Sequence, residues 1–317
     1  MIKKTKTWLL GLILGVLLIL VVVILYNERS TDPNTFRSEL VEIDSSAVTE
    51  IIISPRAAPE ELVRLMKQGE KWVIEVAKDK VAETDHEMIS AALGTLINLK
   101  ALRLAADSES KLSEYQVDEA GTRVKLMAGA DLIVDIIFGK FEYKDQRSMF
   151  SYVRLADEVK IYAVDGLPDM SFNRPVAAWR NQSVLQFNVL DIGGIEMINP
   201  DEPAMILSLN EQGWLDGNQP ADSIAVANYL NSISNVSSGN FLDHLEESSL
   251  GSPAYELKVK TDDVNFIHIR AFDLGMIDDT TTQYLINSSQ NPASYFDGSV
   301  DGLFEKLFVN RSRFKLE

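Results

Sequence analysis

The chain holds three histidines and no cysteine, so metal or nucleophile chemistry is sought first around His86, His244 and His268. His86 stands between Asp85 and Glu87, a triplet that would suit a metal site. A helix-opening turn of exposed polar residues accounts for the same triplet, and that reading is adopted. His268 lies between Ile267 and Ile269, two residues from Arg270, and reads as a solvent-facing strand residue. His244 falls in the polar run Asp243-His244-Leu245-Glu246-Glu247, which reads as a loop. None of the three keeps company with a serine in a recognisable nucleophile pattern, and no Gly-x-Ser-x-Gly occurs. Asp297-Gly298-Ser299-Val300-Asp301-Gly302 begins like a calcium loop, yet Phe308 takes the twelfth place, where a bidentate carboxylate belongs, and Glu305 the ninth. A tight turn before the last helix explains it better. The pairs Asp262-Asp263 and Asp278-Asp279 also read as turns. No glycine-rich phosphate loop is present, so any ATP in the system binds another chain. The expectation is no catalytic, cofactor-binding or metal-binding residue and no cofactor; carboxylates that meet only in space stay open.

The elements that would carry these residues follow from hydrophobic spacing. Val48 to Ser54 and Glu61 to Lys67 read as strands, Gln68-Gly69-Glu70 as a turn, and Lys71 to Val76 as a returning strand through Trp72. Asp85 reads as the cap of a helix whose Met88, Ile89, Ala92, Leu93, Leu96 and Ile97 form one stripe. A meander follows, with strands at Val124–Leu126, Asp131–Phe138, Phe150–Leu155 and Val159–Val164, and a short helical stretch from Gly166 to Asn173 closes it. The order then recurs. Gln212-Gly213-Trp214 repeats the turn and tryptophan 142 positions after Trp72, and Asp222 opens a second helix 137 positions after Asp85, with Val226, Tyr229, Leu230 and Ile233 on one face. Asn310-Arg311 falls 137 positions after Asn173-Arg174. These spacings imply an internal duplication, with Trp72 and Trp214 as core residues at equivalent places.

Ahead of the repeats lies Thr7 to Tyr26, twenty residues without a charge, rich in Leu, Ile and Val. That length as a helix matches the ~30 Å hydrocarbon core of a bilayer. Trp8 and Tyr26 mark its ends, Lys3, Lys4 and Lys6 precede it, and Glu28, Arg29 and Asp32 follow it. The positive-inside rule puts the N-terminus in the cytoplasm and the rest outside. A cleaved signal peptide would have a shorter apolar core and a small-x-small site, which Leu25-Tyr26-Asn27-Glu28 does not offer. Gly11 and Gly15 form a small-xxx-small pair that would let another membrane helix approach. The expected fold class is α+β: an N-terminal transmembrane helix followed by two tandem copies of a mainly antiparallel sheet with one principal helix. The expected domains are 1–26 (tail and anchor), 27–45 (tether), 46–181 (first repeat) and 182–317 (second repeat).

The formal net charge is −17, from 30 Lys and Arg against 47 Asp and Glu, and three of those lysines precede the anchor. Nucleic-acid binding needs a basic footprint, so it is excluded. The same acidity opposes binding of the folded part to an anionic lipid surface. Without cysteine there is no disulfide and no lipoprotein anchor, which fits a bacterial envelope protein.

The apolar anchor, the strand–turn–Trp–(Thr/Ala)-Asp–helix order and the run Arg180-Asn-Gln-Ser-Val-Leu-Gln-Phe187 together resemble an uncharacterised bacterial envelope family with a domain of unknown function. Its members are often encoded beside gliding-motility-type ABC transporter components, and no catalytic residues come with the resemblance. It implies an accessory of a membrane transport system. The expected function is therefore a non-enzymatic, membrane-anchored extracytoplasmic binding subunit of an ABC-transporter-linked envelope complex, in the bacterial inner membrane with its C-terminal domains periplasmic. The expected partners are the membrane through residues 7–26 and a membrane protein, namely transporter components. An envelope hydrolase with a site between the repeats and a structural scaffold or adhesin are the alternatives.

Overall fold

Alternation of apolar and polar residues builds most of this protein. The structure, a computed structural model, describes residues 38–316 except 79, 144–147, 246–249 and 262–264. In β1 (Glu50–Ser54) the buried residues are Ile51 and Ile53, and the same period of two runs through β2 (Val63–Gln68). Gly69, at φ +63°, turns the chain into β3 (Lys71–Ala77), and β4 (Lys80–Glu83) returns along it. The sheet continues with β5 (Ala101–Asp107), β6 (Thr122–Ala128), β7 (Asp131–Tyr143), β8 (Met149–Leu155) and β9 (Lys160–Asp165). Its nine strands lie in the order β4-β3-β2-β1-β6-β7-β8-β9-β5.

A second sheet is built from β11 (Gly194–Asn199), β12 (Glu202–Asn210), β13 (Gly213–Asp216), β14 (Gln219–Pro220), β16 (Tyr255–Lys260), β17 (Phe266–Met276), β18 (Thr282–Ser288) and β19 (Asn291–Asp297). Its order is β14-β13-β12-β11-β16-β17-β18-β19, which repeats the first eight places of the nine-stranded sheet. β10 (Ser183–Gln186) and β15 (Asn235–Ser237) form a separate pair. Trp72 and Trp214 occupy matching registers, opposite Lys67 and Leu209, and each is 8% exposed.

The expected α+β class does not hold. The described residues are mostly antiparallel sheet, in two large sheets, with helices α1 (His86–Ile97), α2 (Ser223–Ile233) and α3 (Leu303–Leu307) of twelve, eleven and five residues. The short strands β4, β5, β10, β14 and β15 account for much of the difference. At two to seven residues they give little alternation to read, and only pairing with a neighbour makes them strands. The expected helical stretch at 166–173 is a 3-10 turn at Pro168–Ser171. The expected transmembrane helix over 7–26, with Gly11 and Gly15, lies outside the described residues. Among those residues no helix is long and apolar enough to cross a membrane.

Compactness divides the chain differently from the repeats. One unit takes in Leu96–Gly121 and Ile136–Asp169 with the described residues up to Ile43. Its core gathers Val117, Ile137, Tyr152, Ile161 and Ala163. Gly139 is obligatory there, because a Cβ would stand 2.2 Å from the Tyr115 carbonyl. Arg154 satisfies the loop carbonyls of Val117, Ala156 and Glu158 at 2.8, 3.0 and 3.0 Å. The other unit comprises Asp44–Thr95, Thr122–Asp135 and Met170–Glu317. Its largest core packs Val226, Tyr229, Leu230 and Ile233 of α2 against Ile195, Met197, Leu257 and Val259 of the eight-stranded sheet.

Candidate functional site

A polar cluster forms within the larger unit around the buried Arg180. Two 3-10 turns, Val176–Trp179 and Arg311–Phe314, close the two repeats. Each ends in a buried aromatic whose carbonyl accepts from the backbone N–H of a helix cap: Trp179 O from Asp85 at 3.0 Å, Phe314 O from Asp222 at 2.9 Å. Arg180 follows Trp179 and is almost wholly buried, its side chain 1% exposed. It donates to Asp243 Oδ2 at 2.6 Å and to Ser294 Oγ at 3.2 Å, and its guanidinium lies 3.4 Å from the Phe241 ring centroid. Burial pushes the Arg180 guanidinium below its ordinary value, and the Asp243 carboxylate pulls it back up. It stays a cation, since arginine starts far above neutrality.

The acceptor side is held by backbone pairing. Phe241 bridges Phe296 in antiparallel fashion, Leu242 N–H donates to Tyr295 O at 2.9 Å, and Asp297 N–H donates to Asn240 O at 2.8 Å. Residues 240–242 thus lie along the free edge of β19 and carry Asp243 to the arginine. Lys80 adds a second tie, donating to Asp243 O at 3.0 Å with its ammonium over the Tyr295 ring. The cleft beside this cluster has a volume of about 550 Å³, with Glu61, Asp243 and Asp297 on its walls. Those carboxylates are engaged: Glu61 accepts from Val176 N–H at 2.6 Å, and Asp297 accepts from Ser299 and Gln283. Arg180 Nε and Asp243 Oδ1 are buried without a hydrogen-bond partner among the described residues. What the cluster shows is charge pairing and ring-on-cation packing.

None of the histidines lines the cleft, although His244 directly follows Asp243 in the chain. His86 is exposed in the first turn of α1, where Asp85 Oδ1 accepts from Met88 N–H at 3.1 Å. His244 is exposed. His268, expected on a solvent face, is half-buried, and its Nε2 lies 2.8 Å from Glu256 Oε2 on the neighbouring strand. In the Asp297–Gly302 turn, Asp297 Oδ1 accepts from Ser299 N–H and Oγ, Asp301 Oδ2 accepts from Asn240, and Gly302 at φ +67° starts α3. Asp278 closes its own turn by accepting from Thr280 and Thr281. Among the described residues no three His, Asp or Glu come together so as to hold a metal ion.

Sequence reasoning passed over Arg180 and left Asp243 in a loop. The available signal was local: Arg180 is preceded by Val-Ala-Ala-Trp and followed, after Asn181-Gln182-Ser183, by Val184-Leu185, a lone cation between two apolar segments. Which carboxylate it meets is set 63 residues later and carries no local mark.

Residues 72–259, more than half of the chain, match the family described as Domain of unknown function (DUF4340). No curated protein and no solved structure matches it.

Proposed function

The chain belongs to the DUF4340 family, and from that premise we propose that it is a non-catalytic, membrane-anchored binding subunit of an ABC-transporter-linked assembly in the bacterial envelope. The apolar run Thr7–Tyr26 is its anchor to the inner membrane, and the folded part lies on the periplasmic side. The transporter setting comes from the family resemblance. One observation carries the binding role: the charge cluster around the buried Arg180 is used to join the two repeats. Arg180 of the first is committed to Asp243, Ser294 and Phe241 of the second. The outward strand face pairs its charges too, with Glu196 accepting from Lys260 at 2.5 Å.

The test is gentle detergent extraction of the full chain and identification of what co-purifies. Transporter components are the expected result, and replacing His86, His244 and His268 together should leave them bound. Gly11→Leu with Gly15→Leu should weaken their recovery more, because it blocks close helix approach in the bilayer. A triple-histidine variant that folds and inserts but loses the deletion-strain rescue would replace this reading with an enzyme or metal protein. A C-terminal reporter active only in the cytoplasm would reverse the orientation.

A further inference from the structure

The cleft at Arg180 has two walls of different origin, and one of them recurs at the end of the chain. Glu61, Val176, Ala177 and Arg180 form the first-repeat wall; Phe241, Asp243 and their neighbours form the other. A second cleft, of about 680 Å³, is lined by Glu202, Asp216, Arg311, Ser312 and Lys315, with Phe314 and Leu316 beside them, and Arg311 is paired there with Asp216. The two closing turns correspond, with Arg311 at the place of Val176 and not, as the 137-residue spacing implies, of Arg174. Glu202 accepts from Arg311 N–H as Glu61 does from Val176 N–H. Lys315 bridges Ala221, ahead of Asp222, as Arg180 bridges Thr84, ahead of Asp85. No counterpart of Phe241 and Asp243 stands over Lys315, which is exposed and has no ion-pair partner among the described residues; Leu316 is 60% exposed.

We infer that this terminal cleft is a docking socket for a protein partner whose segment presents an aromatic ring two residues before a carboxylate. The inference rests on the binding-subunit reading above and adds the chemistry of the partner. The occupant is set by the internal copy: the chain itself shows what closes such a wall, a strand-like segment laying a ring on the cation and a carboxylate against it. Two differences shape the match. Lysine at 315 offers a point charge instead of a planar fork, so the carboxylate contributes more than stacking does. The β13–β14 hairpin is shorter than β3–β4 and ends in Pro220, so no counterpart of Lys80 reaches the partner and proline blunts simple strand addition.

The absence of cysteine makes the test clean. Leu316→Cys in the full chain, held in lipid nanodiscs, is offered a peptide of residues 238–245 (Ser-Gly-Asn-Phe-Leu-Asp-His-Leu) whose added cysteine is a 2-pyridyl disulfide, so that the Cys thiolate displaces pyridine-2-thione. Disulfide trapping should run about tenfold faster than with a peptide carrying the Phe241→Ala and Asp243→Asn changes, as the sum of one ring-on-cation and one charge contact. Lys315→Glu should remove that advantage and Lys315→Arg should keep it, with unfolding midpoints unchanged in both. Equal trapping of the two peptides, or indifference to Lys315→Glu, overturns the socket. A Lys315-dependent disulfide between two chains that outruns the peptide makes the occupant a second copy and overturns the partner assignment. Recovery of transporter components is scored separately, so the socket can fail while the binding-subunit reading stands.

Discussion

Arg180 and Lys315 occupy one backbone position in two settings. Each follows a buried aromatic at the end of a 3-10 turn, and each bridges the residue before a helix cap. Arg180 is sealed under Phe241 and against Asp243, whereas Lys315 stands in an open cleft. The residue types suit their settings. A planar guanidinium can stack and pair at once and is more weakly hydrated, so it tolerates burial that a strongly hydrated ammonium resists. The difference teaches that the repeat fixes where a cation stands, and what covers it decides whether it is structural.

The largest effect expected from that contrast is Asp243→Ala. Removing the carboxylate leaves Arg180 buried without its counter-charge, a loss of about 3 kcal/mol, the lower end for broken buried pairs because Asp243 is 29% exposed. Urea unfolding should show it as a lowered midpoint, and an unchanged midpoint would mean the Arg180 contact adds nothing to the fold.

Next in size is Tyr229→Phe. The Tyr229 hydroxyl donates to Leu307 O at 2.5 Å in the core beside Phe314, so its loss strands a buried carbonyl and costs about 2 kcal/mol. Burial raises the Tyr229 phenol well above its ordinary value. The fold therefore favours the neutral phenol. That stability is complete below the unfolded value near ~10 and is lost as pH rises through and beyond it. Urea midpoints between neutral and strongly alkaline pH should fall less in the Phe variant than in the parent.

Smaller again are the two caps. Asp222 accepts from both Ile224 and Ala225 N–H groups, and Asp85 from Met88 alone. Asp222→Ala should cost about 1 kcal/mol and Asp85→Ala less; a reversed ranking would show that the first-repeat cap is reinforced elsewhere. Smallest is Lys315→Ala, expected within about 0.5 kcal/mol as for an exposed surface change. A larger loss would mean Lys315 already has a structural role and the two ends are alike.

Much of the framework was legible locally. Asp222 and the stripe Val226, Tyr229, Leu230 and Ile233 form the expected helix, with all four side chains buried, because a cap and a 3.6-residue period are written within one segment. In α1 the same reasoning holds for Ile89, Ala92, Leu93 and Leu96, but Ile97 is 42% exposed, at the end where the stripe runs off the core. His268 shares the outward strand face with Lys258 and Glu196, but its partner Glu256 sits across a strand pair, which period-two alternation alone does not name. The fold class failed for a related reason: β4 and β5 become strands through the neighbours they pair with, as does β15, which has three residues.

By itself the sequence determined the charge-free run at 7–26, the acidic balance, the absence of cysteine chemistry and the spacing of Trp72, Asp85, Trp214 and Asp222. Those are properties of composition and of contacts within a few residues. Tertiary structure alone decided the order of the strands in the two large sheets, that Arg180 meets Asp243, and that among the described residues Lys315 meets no counterpart of it. Sheet pairing and buried ion pairs join residues tens of positions apart, so their energies depend on who the neighbour is, and no local window contains both partners.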